Sequence, residues 1–184
     1  MPFDEAYYQD THGYDEAWYR STAWGIINLT YGLEGRVLDV GCGRGYMTKA
    51  LLEQKRDVVG IDISDYAVSH PIPGCEGKLI RGDIVDIPFK DDYFRWVVCW
   101  MVLEHIPEDM VAKALKEIAR VAPLSVMCLS ILFNDDPWLV KFNVEKDASH
   151  ITLKSLEWWK DKFAEARLKM EYFNGTMIVV LKRY

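Results

Sequence analysis

Three glycines separated by single residues, Gly41, Gly43 and Gly45, close a short apolar run, and three acids, Asp39, Asp62 and Asp83, stand at or beside the ends of what read as successive strands. Such a turn lets a backbone approach a ligand closely, because no side chain intervenes and positive φ is open to glycine. A dinucleotide site requires G-x-G-x-x-G, and here Tyr46 stands where the third glycine should fall. Asp39, two residues ahead of the first glycine, would repel a pyrophosphate and attract an ammonium group. Asp62 can accept two hydrogen bonds from the vicinal hydroxyls of a ribose, and Asp83 one from an adenine amino group.

An amine, a ribose and an adenine are the parts of S-adenosylmethionine. Methyl transfer from a sulfonium is an in-line displacement, so the main requirement is a nucleophile held close to the methyl group. A base helps where an oxygen or nitrogen must lose a proton, and histidine suits that near neutrality. His150, in the segment before the last helix, is the first candidate; His105, beside Glu104, is the second; His12 and His70 have no supporting context. Trp100 and Met101 form an apolar wall facing the methyl group. Tyr8, Tyr14 and Trp18, with Trp138 and Phe142, supply a lid over an apolar or ring-shaped acceptor.

The elements that must position these residues alternate. Residues 36–40 form a strand, 41–45 the glycine turn and 46–54 a helix; 57–63 form a second strand, after which Ser64 caps a brief helix that Pro71 and Pro73 stop. Strands are predicted at 77–81, 95–101 and 124–132, and helices at 15–29, from Pro107 to 121, and at 153–167. Residues 133–152 are irregular, and a stretch of that length inside a compact domain is more often functional than idle. Runs at 169–173 and 177–181 flank Asn174-Gly175, a hairpin signal. The fold class is α/β: a mostly parallel sheet, helices on both faces, and a closing antiparallel hairpin.

At four places the sequence resembles the class I S-adenosylmethionine-dependent methyltransferases of the small-molecule branch. They are Val37-Leu38-Asp39-Val40-Gly41-Cys42-Gly43-Arg44-Gly45, Val59-Gly60-Ile61-Asp62-Ile63-Ser64, Gly82-Asp83-Ile84-Val85-Asp86-Ile87-Pro88-Phe89, and Val102-Leu103-Glu104-His105-Ile106. The resemblance implies a Rossmann-like seven-stranded sheet with S-adenosyl-L-methionine as cofactor. It places the methionine end at residues 39–45, the ribose at Asp62 and the adenine between Ile63 and Asp83-Ile84. The implied cofactor set is Asp39, Gly41, Cys42, Gly43, Gly45, Tyr46, Asp62, Ile63, Ser64, Asp83, Ile84, Trp100 and Met101. Two departures stand out: Phe94-Arg95-Trp96 replaces the acid often found before the fourth strand, and prolines cut the second helix short.

The chain has 184 residues, a length for one domain, with residues 1–30 as an N-terminal cap and 133–152 as an acceptor-side insertion. Its 22 basic and 28 acidic residues give a net charge of −6 with no basic stripe, which argues against nucleic acid as a partner, and no Asn-Pro-Pro-Tyr motif is present. No apolar run approaches the roughly 20 residues of a membrane span, and the first residues carry no signal pattern, so the expectation is a cytoplasmic protein, a monomer or weak homodimer. Four scattered cysteines, Cys42, Cys75, Cys99 and Cys128, suggest neither a zinc site nor a disulfide framework, and no metal is expected. The function expected is methyl transfer to oxygen or nitrogen of a small-molecule acceptor; the alternative is a protein that binds S-adenosylmethionine or S-adenosylhomocysteine without turnover.

Overall fold

The computed structural model describes residues 3–9, 15–29, 34–122, 126–130, 148–173 and 178–183. Every side chain of β1 (Val37–Val40) and β4 (Trp96–Trp100) is buried, as expected of strands covered on both faces. β1 lies between β2 (Val58–Asp62) and β4, parallel to both. β3 (Leu79–Arg81) continues the sheet beyond β2, and β5 (Val126–Ser130) beyond β4, again in parallel. β7 (Ile178–Arg183) runs antiparallel to β5 and to β6 (Leu168–Phe173), so the order across the sheet is β3-β2-β1-β4-β5-β7-β6. The chain leaves β1 in one direction through β2 and β3 and returns to β4 on the other side. That reversal opens a crevice beyond the carboxyl ends of β1 and β4, where open α/β sheets take ligands.

Alternation along the strands divides the core between the two faces. On one, Leu38, Val97 and Cys99 pack with Leu115 and Ile118 of α5 (Val111–Val121) and with Trp159 and Phe163 of α6 (Leu156–Glu165). On the other, Val37, Val58, Trp96 and Val98 meet Ala23 and Ile26 of α2 (Glu16–Leu29) and Met47 and Leu51 of α3 (Tyr46–Glu53). Two short helices, α1 (Glu5–Gln9) and α4 (Asp65–Ser69), lie at the ligand end. The Ser64 side chain accepts from the Ala67 N–H at 3.1 Å and caps α4, as its position before the helix predicts.

Two helix starts and one additional turn differ from expectation. The helix predicted from Pro107 begins at Val111, because residues 108–110 form a turn closed by the Met110 N–H on the Pro107 carbonyl at 2.8 Å. The helix predicted from residue 153 begins at Leu156, where Ser155 accepts from the Trp158 N–H at 3.3 Å. A 3₁₀ turn, Leu103–His105, follows β4 and was not anticipated. Tyr14, His12, Trp138, Phe142 and the Asn174-Gly175 turn lie outside the described residues. Cys42, Cys75 and Cys99 are buried free thiols. Among the described residues no helix is long and apolar enough to cross a membrane.

Candidate functional site

The glycine turn is fastened to the end of β2. Both Gly41 and Cys42 donate their N–H to the Ile61 carbonyl, at 2.8 and 2.9 Å. Asp62, the last residue of β2, then holds a fixed carboxylate: Oδ2 accepts from the Gly43 N–H and Oδ1 from the Ser64 N–H, each at 2.8 Å. Burial pushes the Asp62 pKa up, and these N–H donors oppose the shift. Asp39 is 1% exposed and accepts from Thr48 Oγ1 at 2.6 Å. Burial raises its pKa to about 7, against the lowering effect of Thr48.

Two of the glycines serve different ends. A Cβ on Gly41 would lie 2.3 Å from Val102 Cγ2, so this position is required by packing against the segment after β4. A Cβ on Gly43 would meet nothing nearer than Tyr8 Cε1 at 3.3 Å, and the backbone there sits at φ +52°. On the side where a side chain would project, Gly43 therefore faces the Tyr8 ring. Tyr8 sits against this cradle: its Oη donates to Asp62 Oδ1 at 3.5 Å and its ring stacks on Tyr66. Ser64 Oγ donates to the Phe3 carbonyl at 2.6 Å, which seats the segment leading into α1 over the same place.

The remaining residues of the expected cofactor set divide between the crevice and its support. Ile63 and Asp83 are half-buried, and Asp83 Oδ1 accepts from the Val85 N–H at 3.0 Å. Ile84 lies in the core. Cys42 packs against Gly60 of β2, a supporting position, and burial raises its thiol pKa well above the ordinary value. A Cβ on Gly45 would press on Cys75, so this glycine too supports the turn. Tyr46 stacks face to face on Tyr19 of α2. Trp100 is buried edge-on to Trp18, and Met101 turns away from β4 in a left-handed conformation, φ 56°.

The two histidine candidates come together. Glu104 is fully buried, and its carbonyl accepts from the Ile151 and Thr152 N–H groups at 3.0 and 2.9 Å, which draws residues 148–152 against the turn after β4. The rings of His105 and His150 are consequently 4.7 Å apart. His105 Nδ1 lies 3.1 Å from the Ser149 carbonyl and 3.0 Å from its hydroxyl. Glu104, His105 and His150 present ligand atoms that all lie within 4.8 Å of one another. Phe3 packs edge-on against His105 and so links this cluster to the Asp62 cradle. His70, by contrast, is exposed and stacked on Tyr66.

Thr48 and Ser149 were not anticipated. Thr48 carries a readable signal, a hydroxyl in the first turn of a helix that must lie over the strand ending at Asp39. Ser149 carries none, because its role depends on how the chain returns to Glu104.

A methyltransferase-domain family model matches residues 37–123. An uncharacterized methyltransferase, YcgJ of Bacillus subtilis (strain 168), is 29% identical over 147 residues, 73% of this chain and 57% of that protein. A ubiquinone biosynthesis O-methyltransferase of Idiomarina loihiensis is 34% identical over 110 residues, covering 52% of this chain and 44% of its own. The chain thus spans about half the length of these two relatives. A solved structure of a SAM-dependent methyltransferase from Archaeoglobus fulgidus superposes with a TM-score of 0.74 at 19% identity, over 93% of this chain and 79% of that one. The likeness is one of fold, and the fold is Rossmann-like.

Proposed function

We propose, from the premise that this chain belongs to the class I S-adenosylmethionine-dependent methyltransferases, that it transfers a methyl group to oxygen or nitrogen of a small-molecule acceptor. The observation that carries this reading is the Asp62 carboxylate, held from both sides by the Gly43 and Ser64 N–H groups beside a glycine turn at which Gly43 faces the Tyr8 ring. Such a carboxylate is pre-set to accept from two vicinal hydroxyls, and hydrogen bonds that cost no reordering contribute most to binding.

When bound, S-adenosylmethionine supplies an electrophilic methyl group on a sulfonium. Asp62 takes the ribose, and Tyr8 must yield its contact there or shift onto the ligand. Asp39, one strand away, faces the ammonium end, with Thr48 orienting its carboxylate. Asp83 and Ile63 border the adenine. Trp100 and Met101 at the end of β4 exclude water next to the methyl group, which strengthens local electrostatics. At the acceptor end, His105 and His150 are placed to deal with the acceptor's proton. We read residues 1–30 as a cap and 133–152 as an acceptor-side segment of a single domain.

Calorimetric titration tests the reading. S-adenosylhomocysteine should bind and NADH should not, and Asp62→Ala should weaken binding by about 1.5–3 kcal/mol, the worth of hydrogen bonds to a charged acceptor. NADH binding without S-adenosylhomocysteine binding, or an unchanged affinity in Asp62→Ala, overturns it. Release of S-adenosylhomocysteine in the presence of an acceptor distinguishes an enzyme from a protein that binds without turnover.

A further inference from the structure

We infer that Glu104, His105 and His150 form a site for one divalent first-row transition ion of zinc type, at the acceptor end of the crevice. The inference rests on the proposed methyl transfer and names how its acceptor is activated.

Three observations carry it. First, two imidazoles and one carboxylate gather their ligand atoms within 4.8 Å of one another. With bonds of about 2.0–2.2 Å, two ligands of one tetrahedral ion lie roughly 3.3–3.6 Å apart, so the side chains must close by up to about 1.5 Å around it. Second, the carboxylate is fully buried while the two rings are half-buried, so an ion held there has a dry floor and an open outer side. Two nitrogens and one oxygen with open positions suit zinc and its neighbours and not magnesium or calcium, which take oxygen ligands.

Third, Ser149 occupies the Nδ1 side of His105, its carbonyl at 3.1 Å and its hydroxyl at 3.0 Å. With the Nδ1 proton directed at that carbonyl, which can only accept, Nε2 is the lone-pair nitrogen that an ion would take. A ligating histidine typically donates its other N–H to a carbonyl or carboxylate in this way. The Glu104 carbonyl meanwhile holds Ile151 and Thr152, fixing the stretch that carries His150. The three side chains are thereby positioned by backbone contacts from both sides.

Such an ion takes an acceptor hydroxyl into an open position and lowers its pKa, as it does for water. The proton leaves to solvent, the oxygen forms its bond to the methyl carbon, and the carbon–sulfur bond breaks with its electron pair remaining on sulfur. The acceptor class this selects is a hydroxyl compound, and the histidines act on its proton through the ion.

The experiment is titration of chelator-treated full-length protein with Zn²⁺ by calorimetry and with Co²⁺ by absorption spectroscopy, S-adenosylhomocysteine being titrated into the same preparation. One ion per chain is expected, with a tetrahedral or five-coordinate Co²⁺ spectrum. Affinity should fall by roughly a hundredfold or more in His150→Ala and His105→Ala, given that even outer partners of a metal site are worth 10–100-fold. His70→Ala, outside the cluster, should leave metal binding unchanged. Glu104→Gln is read only if circular dichroism shows it folded, and the histidine variants carry the test otherwise. Absence of stoichiometric binding, or binding undiminished in both histidine variants, overturns the site. If S-adenosylhomocysteine still binds in that case, the function proposed above stands and only the metal is refuted; if metal binds while S-adenosylhomocysteine does not, the reverse holds.

Discussion

Asp39 presents an acid without water around it. Its pKa of about 7 in the fold lies above the value near 3.9 of an unfolded chain, so the unfolded state ionises first as pH rises. An acid shifted this way leaves stability intact below about pH 4 and erodes it progressively up to about pH 7, here by about 4 kcal/mol for three pH units. Asp39→Asn abolishes this titration, so its stability relative to the parent should climb across that window in urea unfolding at several pH values. An ammonium group beside Asp39 would favour its ionised form, so cofactor binding near pH 6.5 should release up to one proton, measured by calorimetry in buffers of different ionisation enthalpy. Equal proton release in Asp39→Asn would remove Asp39 from the methionine end.

At the level of elements, the glycine turn does two jobs that substitution can separate. Gly41→Ala drives a methyl into Val102 and should lower the melting temperature markedly. Gly43→Ala meets only Tyr8, and its cost to the fold should be about 1–2 kcal/mol for a left-handed backbone, while cofactor affinity falls well beyond that. A Gly43→Ala protein that binds S-adenosylhomocysteine normally would make the turn merely structural. This turn was legible because its evidence is local: an apolar run, glycines at fixed spacing, a helix-compatible segment. Ser155 as a cap was legible in principle, but apolar Leu153 extended the periodic pattern past it. The meeting of His105 with His150 was not legible, since it is set by backbone bonds to the Glu104 carbonyl across a segment without periodicity. Nor was the seat of Tyr8 on Asp62, which depends on a short helix docking far along the chain.

Across the molecule, the cradle of Asp62 and the cluster of Glu104 open on one edge of the sheet, joined by Phe3, which touches both. The buried thiols sample this architecture at different depths. Cys42 and Cys75 lie at the turn, where Cys75 Sγ contacts the Gly45 carbonyl at 3.3 Å, whereas Cys99 is inside β4. Burial raises all three pKa values, Cys75 to about 11, so none reacts until the protein opens around it. They are internal clocks. In pulse labelling with a thiol reagent read by peptide mass, Cys42 and Cys75 should label early and with little dependence on low urea, reporting local opening of the turn. Cys99 should label late and accelerate steeply with urea, because exposing β4 requires the whole sheet to separate. Three rates rising in parallel would mean that the turn never opens alone, and that a ligand reaches its cradle without any loosening of the floor beneath it.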